Sequence, residues 1–128
     1  MLFRSIQAPL AVSIVDDDVG GPYTVGPRDL FHATLRDAGI SLVQRATGNV
    51  QRIVLVYAEP RSWKGRADLG ARSRAALRRL VPGAALVVLL GHPRLASQIP
   101  GTAPILLCWH GQGLMQRAAA RWLLGIMR

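Results

Sequence analysis

Three short, continuous apolar runs constrain this chain more than anything else in it. They are Arg52 to Ala58 (RIVLVYA), Ala85 to Leu90 (ALVVLL) and the ILLCW run that closes at Trp109. Each has strand length and lacks the alternation of a half-exposed strand, so each is expected to be buried on both faces. Strands of that kind belong to a parallel sheet covered by helices.

The segments between the runs carry helical spacing. From Pro27 to Ala38, Leu30, Phe31, Thr34 and Leu35 recur at helical intervals, and Gly39 stands just past the end. Leu69, Ala76, Leu77 and Leu80 form one apolar stripe of a helix that Pro82-Gly83 breaks. Beyond Gly111-Gln112-Gly113 the spacing predicts a helix with Met115, Ala119, Trp122, Leu123 and Ile126 facing one way. Arg117, Arg121 and Arg128 face another. Ala11 to Val15 and Ile40 to Gln44 are further strand candidates, and Gly91-His92-Pro93 opens a short helical turn towards Gln98. Strands alternating with helices predict an α/β fold: a three-layer α/β/α sandwich around a mostly parallel, doubly wound sheet with right-handed crossovers.

A length of 128 residues suits one domain spanning 1–128, and neither a repeat nor a linker divides it. Half the residues are hydrophobic, enough for a real core. The formal charge of +9 comes almost entirely from arginine, with Lys64 the only lysine. The densest group is Arg66, Arg72, Arg74, Arg78 and Arg79. These fill the arc left by the apolar stripe of their helix and read as its solvated face. No stacking aromatics are interleaved with them, so nucleic acid is not the expected partner. Cys108 stands alone in an apolar strand and reads as a small buried hydrophobe. No apolar run has the ~20 residues of a membrane span. The opening MLFRSIQAPLAVSIV meets Asp16-Asp17-Asp18 without a small-X-small cleavage pattern. A cytoplasmic protein with no membrane partner is the expectation.

Chemistry is expected outside the carboxyl ends of the strands, where open α/β sheets place ligands. Asp16 to Gly21, Glu59 to Arg66, Gly91 to Arg94 and Trp109 to Gly113 lie there. Three consecutive aspartates offer oxygens to a hard cation or to sugar hydroxyls; as plain structure they are a solvated strand exit with an Asx-type turn. Glu59 is the only glutamate, with Arg61 two residues on to keep it ionised. A glycosidic general acid needs a raised pKa and a second carboxylate, and no such arrangement is visible. His32 sits mid-helix as an ordinary flank residue, while His92 and His110 both follow buried strands and are placed to approach each other. Neither a zinc ligand set, a nucleophile elbow nor a Walker sequence is present, so no metal and no cofactor are expected. Gly111-Gln112-Gly113 is a weak anion-cradle signal, better explained by a tight turn with close helix-to-strand packing.

The segment VVLLGHPRLASQIPGTAPILLCWHGQGLMQRAAARWLLG resembles the C-terminal α/β domain of family 3 glycoside hydrolases, the bacterial β-N-acetylhexosaminidase and β-glucosidase-like members above all. Gly91-His92-Pro93, Pro104 with Trp109 and Gly111, and Gln116-Arg117-Ala118-Ala119-Ala120 through Leu124-Gly125 carry the likeness. It extends upstream through RIVLVYAEPRSWKGRADL and, more weakly, over Ala11 to Gly39. The resemblance implies an accessory domain acting on β-linked glucosides or N-acetylglucosaminides only with a catalytic TIM barrel, in cis or in trans. Such a barrel needs ~250 residues. The barrel supplies the aspartate nucleophile, so this chain alone is expected to be inactive. In many β-glucosidase-like members the C-terminal domain lends a glutamate acid/base. Glu59 lies in roughly that loop, but Glu-Pro-Arg-Ser-Trp-Lys replaces the usual Glu-Gly-x-Asp-Arg. In the hexosaminidase subgroup a barrel histidine does that work, and the departure at Glu59 fits this second pattern. Asp18, Glu59, Arg61, Trp63, His92, Trp109 and His110 are then the expected rim of a carbohydrate cleft shared with the barrel. The alternative, from a different class, is a flavodoxin-like module binding a nucleotide or phosphorylated ligand at Gly111 to Gly113.

Overall fold

The computed structural model describes residues 5–22 and 24–127. The order along the chain is β1 (Leu10–Asp16), α1 (Leu30–Asp37), β2 (Leu42–Val43), β3 (Gln51–Ala58), α2 (Ala71–Leu80), β4 (Leu86–Gly91), β5 (Ile105–Cys108) and α3 (Gly113–Ile126). Short 3-10 helices cover Ser62–Lys64 and Pro93–Gln98. The five strands form one sheet in the order β2-β1-β3-β4-β5, with every pairing parallel. The α/β fold with a parallel sheet therefore stands as read from the apolar runs.

β3 and β4 are central strands, and all six residues from Ile53 to Ala58 and from Leu86 to Gly91 are buried. Their side chains divide between two cores by strand alternation. One contains Ile53, Leu55, Tyr57, Leu86, Val88 and Leu90, closed by Phe31 and Leu35 of α1 and Ala119, Ala120 and Leu123 of α3. The other contains Val54, Val56, Val87 and Leu89, closed by Leu77 of α2 with Leu69, Leu95 and Ile99. Burying a leucine or valine side chain contributes about 1.5–3 kcal/mol, so these two sets account for the main folding drive. The last position of β4 takes glycine because a Cβ at Gly91 would collide with the carbonyl oxygen of Ala58 on β3.

Three expectations need correction. β5, expected to be buried on both faces, is an edge strand with Leu107 48% exposed, because among the described residues no strand lies beyond it. The inward arc of α3 is Gln116, Ala119, Ala120 and Leu123, whereas Trp122 and Ile126 are 39% and 36% exposed. The sequence spacing placed the arc too far round because it discounted a polar residue, Gln116, at its centre. The strand expected over Ile40 to Gln44 is only two residues long and pairs with Leu10 and Ala11 alone. The upper part of β1 is consequently a free sheet edge.

Strand order reverses between β1 and β3. The crossover through α1 runs from β1 outward to β2, and that through α2 runs from β3 the opposite way to β4. The carboxyl ends of β1 and β3 therefore flank the crevice where doubly wound sheets hold ligands.

Candidate functional site

That crevice is filled by the chain's own charges. Asp17 and Asp18, at the exit of β1, have side chains only 4% and 1% exposed. The solvated strand exit expected there is thus a buried ion cluster. The Asx-type turn itself is present, with Asp18 N–H donating to Asp16 Oδ1 at 2.9 Å. Lys64, carried by the 3-10 turn after β3, reaches back with a side chain 4% exposed. It donates to Asp18 Oδ1 (2.8 Å), Asp17 Oδ2 (3.2 Å) and the Glu59 carbonyl (2.9 Å). An ammonium has three donors, and all three are used.

Arginines close the cluster from both sides. Arg28 bridges Asp16 Oδ2 at 2.9 Å and Asp18 Oδ2 at 3.1 Å, and lies 4.2 Å above the Tyr57 ring. Arg66 contacts Asp17 at 2.9 Å, so it is not merely part of a solvated helix face. Arg72, Arg74, Arg78 and Arg79 do lie exposed. Asp17 also accepts from the Ser73 hydroxyl at 2.7 Å and from Gly70 N–H at 3.1 Å. Burial alone raises the Asp17 pKa. The donors from Arg66, Ser73, Gly70 and Lys64 outweigh it and hold the carboxyl below its ordinary range. Four of these partners are far away in sequence, which is why the cluster was invisible as a unit.

Glu59 turns towards the other end of the crevice. Its Oε1 accepts from Gly111 N–H at 3.0 Å, and its Oε2 is ion-paired with Arg61 at 2.6 Å. A carboxylate of the chain itself thus sits at the Gly111-Gln112-Gly113 turn that precedes α3. A cavity of about 110 Å³ remains there between Gly26, Arg28, Glu59, Arg61 and Gly113. Gly111 has no room for a side chain, since a Cβ would approach Tyr57 Cδ1 to 2.7 Å. Gln116, singled out in the sequence only as part of the family-like helix motif, is fully buried and ties the β1–α1 and β5–α3 connections together. It accepts from Leu30 N–H at 3.2 Å and donates to the carbonyls of Pro27 (2.7 Å) and Gly111 (2.8 Å). Only its position in an otherwise apolar helical arc could have signalled it.

The expected rim residues are only partly brought together. Trp109 is 64% exposed, with the His92 ring edge-on to it at 5.7 Å between centroids. His92 therefore meets the tryptophan, and each histidine Nδ1 caps its own turn, accepting from Arg94 N–H and Gln112 N–H respectively. Arg61 is exposed beside Glu59. Trp63 is half-buried and its indole packs against Gly21, leaving no room for a Cβ there. Asp18 is enclosed. A cleft of about 60 Å³ between Glu59, Lys64, Asp68, His92 and Arg94 is too small for a sugar ring.

Among the described residues no group of three or more His, Cys, Asp or Glu side chains is arranged to hold a metal ion. Burial pushes the Cys108 thiol up to about 11 and the Tyr57 hydroxyl up to about 12, so neither is ionised near neutrality. No helix of the described chain is long and apolar enough to cross a membrane. No protein-family model, curated protein or solved structure matches the chain.

Proposed function

We propose that this chain is an accessory α/β domain of a family 3 glycoside hydrolase, inactive alone, whose sheet edge packs against a catalytic barrel and borders its carbohydrate cleft. One observation carries the reading: the carboxylates at the sheet edge are held by internal donors, while Trp109 and Arg61 face outward. Glu59 has both oxygens occupied, by Gly111 and by Arg61. Asp16, Asp17 and Asp18 are bound to Arg28, Lys64 and Arg66. Glycoside hydrolysis needs two carboxyl groups facing the scissile bond, one to deliver a proton. Groups tied down in this way build a rim, not a reaction centre. Exposed Trp109, backed by His92, offers a flat apolar face to a sugar ring or to a partner's surface. The likeness of residues 52–125 to the family's C-terminal domain supplies the substrate class.

The test is hydrolysis of aryl β-N-acetylglucosaminide and aryl β-glucoside by the purified chain, then with a family 3 barrel added. No turnover is expected from the chain alone. Addition of the barrel is expected to shift tryptophan emission to the blue as Trp109 becomes covered, and Trp109→Phe removes that shift. Turnover by the isolated chain that disappears in Glu59→Ala would refute the reading.

The alternative, a module for a nucleotide or phosphorylated ligand, finds support in the cavity beside Gly111–Gly113, flanked by Arg28 and Arg61. It requires Glu59 to leave the place a phosphate would take. Calorimetry with nucleotides and sugar phosphates separates the two readings.

A further inference from the structure

The free edge of β1 borders a wide groove. The link from β2 to β3 contains no helix, so the layer beside α2 stops short over this part of the sheet. The resulting groove measures about 770 Å³ and runs between Val15 and Val19 on one side and Ala71, Ala75 and Ala76 of α2 on the other. Ile14 and Val19 are left 39% and 59% exposed at its border. Arg72 and Arg79 stand on its rim, and among the described residues neither makes an ion pair.

We infer that this groove is a docking site for an amphipathic helix of a partner protein, one that presents an apolar face with an acidic flank towards α2. Size, shape and charge each favour that occupant. Alanines at positions 71 and 75 lie one helical turn apart, so a second helix can approach α2 closely. Apolar groups on the sheet side supply the floor on which such helices seat their anchors. The two unpaired guanidinium groups, both on α2, select carboxylates on that flank, while Asp16 and Asp17 on the β1 side disfavour them on the other. A second copy of this chain is disfavoured as occupant, because two molecules of charge +9 repel. The inference is independent of the glycosidase reading, since the groove lies on the far side of the ion cluster from Trp109 and Gly111.

The probe is a labelled synthetic helix of about 15 residues, leucine along one face, glutamate on one flank and uncharged polar residues on the other, followed by fluorescence anisotropy. Binding is expected, weakening as salt rises. Arg72→Glu with Arg79→Glu is expected to weaken it by roughly tenfold or more, and Ala75→Trp, which plugs the groove without altering charge, by a similar factor. Arg94→Glu, at the opposite end of the sheet edge, leaves it unchanged. Bimane attached to Ile14→Cys should shift to the blue on binding, since Cys108 is buried and escapes labelling. Melting curves of each variant show that the fold persists. No binding, equal binding of a version with lysine for glutamate, or indifference to Ala75→Trp would overturn the proposal. So would self-association abolished by Ala75→Trp, which would make the occupant a second copy.

Discussion

Replacing Lys64 by methionine keeps the aliphatic stem and deletes one buried charge. The ammonium sits within 3.2 Å of two aspartates whose side chains are at most 4% exposed. At an effective dielectric near 20, a unit pair about 3 Å apart is worth roughly 5 kcal/mol before desolvation is subtracted. Removing one member of a buried pair generally costs about 3–5 kcal/mol, because the remaining charge stays buried. Arg28 and Arg66 remain to hold Asp18 and Asp17. They place the expected loss at the lower end, about 3 kcal/mol, or a melting temperature lower by roughly 10 °C. Urea unfolding followed by circular dichroism measures it. Charge, and not lost packing, is responsible if Asp18→Asn costs less in the Lys64→Met background than in the native chain, with a coupling of at least about 1 kcal/mol. Strict additivity of the two substitutions, or a loss for Lys64→Met below about 1 kcal/mol, would refute the cluster as a stabilising unit.

Gln116→Leu preserves volume but strips Leu30 N–H and the carbonyls of Pro27 and Gly111 of their partner, so a loss of about 2–4 kcal/mol in urea unfolding is expected; an unchanged midpoint would contradict the role given to Gln116. Acid stability should fall in two stages. Burial, with Arg36 nearby, holds His32 below its ordinary 6.5, and the donors around Asp17 hold it below 3.8. In both cases the unfolded chain binds its proton at the higher pH, so acid draws the equilibrium towards unfolding. Stability conferred by neutral His32 is complete above about 6.5 and is lost as pH falls through its lowered value. That conferred by ionised Asp17 is complete above about 4 and is lost below it. Melting temperature against pH tests this: His32→Gln should remove the first decline and Asp17→Asn the second, and a curve unaltered by either substitution contradicts the assignment.

Local pattern was sufficient for the architecture. RIVLVYA and ALVVLL are apolar on both faces, and residues from Ile53 to Ala58 and from Leu86 to Gly91 are buried in consequence. Pro82-Gly83 and Gly39 likewise end helices near the expected positions, because backbone restriction acts at the residue itself. Glu59 with Arg61 was readable for the same reason, as partners two residues apart. Helical spacing misplaced the inner face of α3, since hydrophobicity alone gives no reason to bury a glutamine.

What the sequence determined by itself was the parallel α/β class, the run of strands and the rim positions that follow them, all of which depend on periodicity within short windows. Only the tertiary structure decided what those positions do. Asp17 meets Arg66, Gly70 and Ser73 across about fifty residues, and Glu59 meets Gly111 across a similar span. Whether three aspartates face water or basic side chains depends on the energy of burying charge, which is offset only when long-range contacts bring the partners together. The groove beside α2 has the same origin: it exists because a crossover lacks a helix, and no residue in the groove announces it.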